Sequence, residues 1–214
     1  MGGGTKQLLL SIELRALREY LQRSAESAAE GAARVAEIYR EGVEFHPEDE
    51  ENAYFELNRS AQFALRAVYY ELAALIETEV QQAAEPIWRA SKKHKGPKCI
   101  QELGPDWQKG LPSLRMVWDR PYQQLVELVE GDHDIRLANL EGASAVRKVR
   151  ETVNSFRHRR GLKEFRKRVP PSLQFPGHYE LKFDEVRDSI REVGKFIVAL
   201  RRATKTARRR SQNR

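Results

Sequence analysis

The chain has 214 residues, of which 40% are hydrophobic, and this composition excludes wholesale disorder and predicts a folded core. Its single cysteine, Cys99, excludes an intrachain disulfide, and no apolar run approaches the roughly 20 residues that cross a bilayer. These features predict a cytoplasmic protein with no membrane partner, and the net charge of +7 favours an anionic partner.

The first half of the chain predicts two long helices. Leucines three and four residues apart, from Leu10 to Leu21, predict a helix from about Lys6 to Glu41. A second apolar stripe, from Tyr54 to Leu75, predicts a helix from roughly Glu51 to Ala84, with a break or kink at Pro86. Because the turn between them is short, an antiparallel hairpin is favoured.

The second half begins with a loop insertion, rich in proline and glycine, over about residues 91–112. Helices are then predicted from about Ser113 to Glu130 and from about Asn139 or Ser144 to Arg159. A connector containing prolines, residues 162–182, precedes a final helix that starts with Asp184 as its N-cap and ends near Ala203.

These elements predict an all-α fold, an antiparallel helical bundle with a long inter-helix loop. No run of strand-forming residues is long enough to predict a sheet. One helical domain is expected over residues 6–203. Residues 204–214 are basic and have almost nothing to bury, which predicts a disordered tail.

Positive charge is concentrated in two segments. Residues 147–168 contain ten lysines and arginines against two glutamates, and residues 195–214 contain eight against none. The rest of the chain is therefore mildly acidic. This distribution indicates a phosphate-rich partner such as nucleic acid, although basic tails are also common as solvated segments without a partner.

A polar line follows the helix that ends at Arg159. Residues four apart share a helix face, which aligns Asn154 with His158, and the same line continues back through Glu151 and Arg147. Arg150 and Arg157 lie beside this line. The other side of the helix is apolar, with Val146, Val149, Val153 and Phe156 as its core stripe.

Imidazole and guanidinium groups in this arrangement match the needs of metal-independent RNA cleavage. An imidazole exchanges a proton near neutral pH, and a guanidinium holds a phosphate and stabilises the charge that develops on it. A structural interpretation competes with this one, because a histidine and arginines near a helix C-terminus also stabilise the helix dipole.

The order of elements over roughly residues 8–203 resembles the HEPN superfamily. Ribonuclease members of that family carry an arginine, then four to six residues, then a histidine, and they commonly dimerise to complete the site. Asn154 and His158 match the Asn-x-x-x-His part of this motif, whereas Val153 stands where the arginine is expected. The resemblance implies a protein that binds or cleaves RNA, a homodimer, and a toxin or antiviral-defence component with a cognate antitoxin or defence partner.

Three interpretations of the departure at Val153 stay open. Arg150 or Arg157 supplies the guanidinium from a neighbouring turn. Alternatively, catalysis is lost and nucleic-acid binding is kept. In the third interpretation the chain is a non-catalytic helical adaptor that binds proteins.

Two groups of site residues follow from the motif and the charge distribution. The candidate catalytic residues are His158, Asn154, Arg150 and Arg157. The candidate phosphate-binding residues are Arg147, Arg159, Arg160, Lys163, Arg208, Arg209 and Arg210. No cofactor is expected. No metal is expected either, because Asp132, His133 and Asp134 are adjacent and cannot all point towards one ion.

Overall fold

The computed structural model describes residues 3–40, 47–90, 120–159 and 180–212, and every regular element among them is helical. The α-helices are α1 (Gly3–Arg40), α2 (Pro47–Ala90), α3 (Tyr122–His133), α4 (Ala143–Arg159) and α5 (Phe183–Gln212). One 3₁₀ turn, Leu137–Asn139, lies between α3 and α4. The all-α prediction is confirmed for this part of the chain. The loop predicted over residues 91–112 lies outside it.

The chain divides into two compact units. One contains Met1–Ala73 and Ala145–Gly194, and the other contains Ala74–Ser144 and Lys195–Arg214. A single domain over residues 6–203 stays a prediction.

The core of the first unit is built from the apolar stripes that the sequence predicts. Buried side chains come from all four of its helices, and they include Leu10, Leu14, Leu21, Leu65, Val68, Val146, Val149, Val153, Val186, Ile190 and Val193. Helix α4 also buries two hydroxyl side chains, Thr152 and Ser155. The α4 face that packs inward is therefore wider than its valine stripe.

Two polar contacts fix how α2 lies against the start of α5 in this unit. The Gln62 side chain donates to the Leu181 carbonyl at 2.9 Å and accepts from the Leu181 N–H at 3.1 Å. Further along both helices, the Tyr69 and Ser189 hydroxyls are 3.0 Å apart. Since both contacts advance together, α2 and α5 run in the same direction here.

A close approach joins α1 to α5. A Cβ atom added at Gly194 would lie 2.7 Å from Leu14 Cδ1, which is closer than carbon atoms pack. Glycine at this position lets the α5 backbone approach the buried leucine.

The second unit contains a partly buried ion pair. The Arg201 guanidinium of α5 binds the Glu79 carboxylate of α2 through two nitrogens, one of them Nε at 2.8 Å from Oε2. Glu79 is only 6% exposed, so the pairing offsets the cost of burying its charge. Elsewhere in this unit, the Arg120 guanidinium lies 4.1 Å from the Trp88 ring.

Helix ends differ from the sequence prediction at two places. Helix α2 continues through Pro86 to Ala90, although proline removes one backbone donor from the helix. Helix α5 continues past Ala203 to Gln212, whereas the sequence predicts a disordered tail from Thr204. Thr204 is itself buried, and its hydroxyl donates to the Leu200 carbonyl at 2.9 Å.

Helix α4 starts at Ala143, close to the predicted Ser144, whereas the predicted start of the third helix at Ser113 lies outside the described residues. Helix α3 starts directly after Pro121 and ends at His133, where Asp134 takes a left-handed backbone conformation. Phe183 is the first residue of α5, so Asp184 lies in the first turn and is not the N-cap. Across the described ranges, no helix has the length and apolar character that crossing a bilayer requires.

Candidate nucleic-acid interface

The polar line predicted on α4 faces solvent as far as the structure describes it. Arg147, Glu151 and Asn154 are exposed, while Val153 is 1% exposed. The assignment of Val153 to the core is confirmed. An arginine at that position would point into the core of the first unit.

The other predicted site residues are placed unequally. Arg150 is half-buried and Arg157 is exposed. For six of the remaining residues, the structure does not describe the side chain: Arg159, Arg160, Lys163, Arg208, Arg209 and Arg210. The backbone of His158 lies in the last turn of α4, and its side chain is also among those that the structure does not describe.

Arg157 connects the end of α4 to α2 within the first unit. Its guanidinium carbon lies 5.5 Å from the centroid of the Tyr70 ring. At this distance a cation is attracted to the negative face of an aromatic ring, and the contact restricts a side chain that is otherwise free to rotate. The structure thus places one of the predicted arginines on an aromatic platform that the sequence interpretation did not include.

A second arginine, Arg66 of α2, lies between two aromatic rings. Its guanidinium carbon is 4.6 Å from the centroid of Phe156 on α4 and 5.9 Å from that of Phe63 on α2. Arg59 approaches the same Phe63 ring at 5.9 Å. Guanidinium and aromatic groups therefore alternate across the adjoining faces of α2 and α4.

These groups surround a surface recess of about 490 Å³, here called the arginine–aromatic recess and lined by Phe63, Arg66, Ala67, Tyr70 and Phe156. Phe63 is 57% exposed, so its ring belongs to the surface and not to the core. The small side chain of Ala67 leaves the space between the larger groups open.

The recess is cationic. In the described part of the chain, no carboxylate forms an ion pair with Arg66 or Arg157. The Arg66 Nε atom is buried and has no hydrogen-bond partner there either. A buried donor without a partner costs about 1–3 kcal/mol. Positive charge beside aromatic faces suits an anionic ligand that also carries planar groups.

A separate polar cluster lies inside the first unit. The Ser189 hydroxyl donates to the Glu185 carbonyl at 2.8 Å, so the Tyr69 hydroxyl is the donor to Ser189. Burial raises the pKa of Tyr69 above its ordinary value, and the charge of Lys148 only partly opposes this. This cluster joins α2 to α5.

Lys148 completes the cluster at the surface. Its Nζ atom lies 3.1 Å from Glu185 Oε2. Partial burial lowers the pKa of Lys148. The hydrogen bond to Glu185 and the charges of Tyr69 and Glu185 together raise it by more, so the pKa of Lys148 lies above its ordinary value. Lys148 is therefore fully charged at neutral pH and bound to a carboxylate of its own unit, which leaves it less suited to phosphate than Arg66.

The acidic and histidine side chains of α3 do not form a metal site in the described residues, where no group of three possible ligands converges. His133 is 7% exposed, and its Nδ1 atom lies 3.2 Å from Asp132 Oδ2. Asp134 is the helix cap with φ 50°. The polar run Asp132, His133 and Asp134 therefore forms the C-terminal end of α3.

The sequence contains a signal for the recess. Arg59, Phe63, Arg66 and Tyr70 are spaced four, three and four residues apart, which places them on one face of α2. They do not form an apolar stripe, since arginine interrupts the pattern. The sequence pattern predicts Phe156 in the core, whereas the structure shows it half-buried at the edge of the recess.

Comparison with known proteins gives no relative from which a function can be transferred: no family model, no curated protein and no solved structure matches the chain.

Proposed function

We propose that this protein binds RNA through the arginine–aromatic recess. The observation that carries the proposal is the position of Arg66, whose guanidinium is held by the Phe63 and Phe156 rings and has no carboxylate partner among the described residues. A guanidinium fixed in this way presents its remaining donors to a phosphate with little loss of side-chain entropy.

The arrangement of charge along α4 supports the same proposal. Arg147 is exposed on the polar line, and Arg157 is held over Tyr70 near its end. The basic segment 147–168 continues from there in the sequence. A strand of RNA that follows the recess would meet these cations in succession, and each phosphate that is neutralised releases counterions.

The experiment is a salt titration of the wild-type protein with a fluorescently labelled single-stranded RNA. The proposal expects binding that weakens steeply and linearly on a logarithmic salt scale, because several phosphates are contacted. Binding that ignores salt, or no binding at low salt, would overturn it. Competition by polyglutamate as effective as that by unlabelled RNA would favour an acidic protein partner, the adaptor interpretation.

A second candidate function, cleavage of the bound RNA, is favoured by the position of Asn154. Its side chain is exposed on the same line of α4 as position 158, and Arg157 lies on the neighbouring Tyr70 ring. In this version, which follows the resemblance to HEPN ribonucleases, His158 acts as acid or base, Asn154 orients it, and Arg157 or Arg150 holds the scissile phosphate. The resemblance further implies a homodimer that belongs to a toxin or defence system.

A further inference from the structure

The recess contains more aromatic surface than phosphate binding requires. Phosphate is held by hydrogen-bond donors and positive charge, and the aromatic rings of Phe63 and Tyr70 provide neither. Phe63 is nevertheless 57% exposed on the face of α2 that carries Arg59 and Arg66. An apolar ring exposed to water on a polar surface is stabilised when a second flat group covers it.

We propose that the Phe63 ring receives an unpaired RNA base, so that the arginine–aromatic recess selects single-stranded RNA over duplex RNA. This inference rests on the proposed RNA binding and names the form of RNA that is bound. The recess volume of about 490 Å³ lies within the range of pockets that hold small organic groups, and its lining provides both stacking surface and cation.

Duplex RNA does not fit this chemistry. In an A-form helix the bases are stacked on each other and paired, and a protein reaches mainly phosphates and 2′-hydroxyls. A ring on the side of a protein helix cannot replace a neighbour in that stack without unpairing it. A single strand, by contrast, turns a base outwards and lets it stack on an aromatic or guanidinium plane.

The guanidiniums next to Phe63 position the strand around the stacked base. Arg59 and Arg66 both approach the Phe63 ring at 5.9 Å, and Arg66 is also held by Phe156. Arg157, on α4, lies against the ring of Tyr70, which lines the recess. A base on Phe63 therefore has cations on both adjoining helices, where the phosphates that flank it in the strand would lie.

The test compares the affinity of three proteins for a single-stranded RNA and for the matching duplex. They are the wild type, Phe63→Leu, and Phe63→Trp, which restores a stacking ring. Loss of one stacked base should weaken single-strand binding by roughly tenfold in Phe63→Leu, with little change for the duplex and little change in the salt slope. Phe63→Trp should bind the single strand as tightly as the wild type. Tyr20→Leu is the matched control, because Tyr20 is an exposed aromatic residue of α1 outside the recess.

A second readout reports stacking itself. The fluorescence of 2-aminopurine placed in the single strand should be quenched on binding by the wild type and by Phe63→Trp, and less quenched by Phe63→Leu. Circular dichroism verifies that each variant is folded, which is expected for a substitution at an exposed position.

The outcomes separate the inference from the function on which it rests. If the wild type binds RNA with a steep salt dependence but Phe63→Leu binds as tightly, or loses single strand and duplex equally, base stacking is overturned and RNA binding stands. Base stacking is likewise overturned if Tyr20→Leu loses as much affinity as Phe63→Leu. If the wild type binds no RNA at all, both are overturned.

Discussion

The guanidinium carbon of Arg66 lies 4.6 Å from the centroid of the Phe156 ring. Arg66 is a half-buried residue of α2, and Phe156 belongs to the last turns of α4. Their contact fixes a positive charge at the junction of the two helices. The proposed RNA binding depends on this relationship, since a guanidinium held in place binds phosphate with less loss of conformational freedom.

The Tyr70 ring should matter for RNA binding through Arg157. In Tyr70→Leu the Arg157 guanidinium loses its aromatic platform, which is worth about 0.5–1 kcal/mol at an exposed site, so affinity should fall by about threefold. Tyr70→Phe keeps the ring and should bind like the wild type. Fluorescence anisotropy measures both, and an equal loss in the two variants would show that the hydroxyl, and not the ring, is important.

Cleavage of RNA by this protein should depend on His158. Replacing a general acid or base lowers the rate by roughly 10²–10⁴-fold, so His158→Ala should leave cleavage near background while binding is unchanged. Asn154→Ala should reduce the rate less, because it orients and does not transfer a proton. The measurement is the degradation of labelled RNA in the presence of a chelator. Equal inertness of the wild type and His158→Ala would end the enzyme interpretation.

Tyr69→Phe should destabilise the first unit and change the response of stability to pH. At neutral pH the loss of the hydrogen bond to Ser189 costs about 1 kcal/mol. The pKa of Tyr69 is raised in the folded protein, so its contribution is complete below the unfolded value and is lost as pH rises through the folded value. The wild type should therefore lose more stability than Tyr69→Phe as pH rises from about 9 through the alkaline range.

Urea unfolding at several pH values measures this difference. Tyr20→Phe is the control, since Tyr20 is an exposed tyrosine of the same unit. Parallel stability curves for the wild type and Tyr69→Phe across the alkaline range would contradict the role assigned to burial.

The ion pair of the second unit predicts a non-additive effect. Arg201→Met leaves the Glu79 carboxylate buried without its partner and should cost about 2–3 kcal/mol of unfolding free energy, a little less than a fully buried pair because Arg201 is 27% exposed. The double variant Glu79→Leu with Arg201→Met removes both charges and should recover most of the loss. Thermal unfolding measures the cycle, and strictly additive losses would refute the pairing.

Much of the fold follows from the sequence because buried stripes repeat with the period of a helix. The valines of α4 and the stripe from Val186 to Leu200 on α5 are buried as predicted. The helix ends are less predictable, since α5 continues beyond Ala203, where Thr204 is buried and bonds back to Leu200. Helix α2 also continues beyond its predicted end. It passes through Pro86 and includes Trp88, whose ring contacts Arg120.

The candidate site was only half predictable. Arg157 and Asn154 could be identified on one helix by their spacing. The partners Tyr70, Arg66 and Phe63 lie on another helix, and spacing within a helix does not determine which face meets its neighbour. That information arises from the packing of α2 against α4.

The affinity of Arg66→Met for single-stranded RNA, compared with that of Arg18→Met, tests the central claim most directly. Methionine keeps the apolar stem between the rings and removes the charge, and Arg18 is an exposed arginine of α1 in the same unit. Arg66→Met should weaken binding by about tenfold and lower the salt slope by about one, while Arg18→Met stays close to the wild type. Equal losses in the two variants, or wild-type affinity in Arg66→Met, would contradict RNA binding at the arginine–aromatic recess.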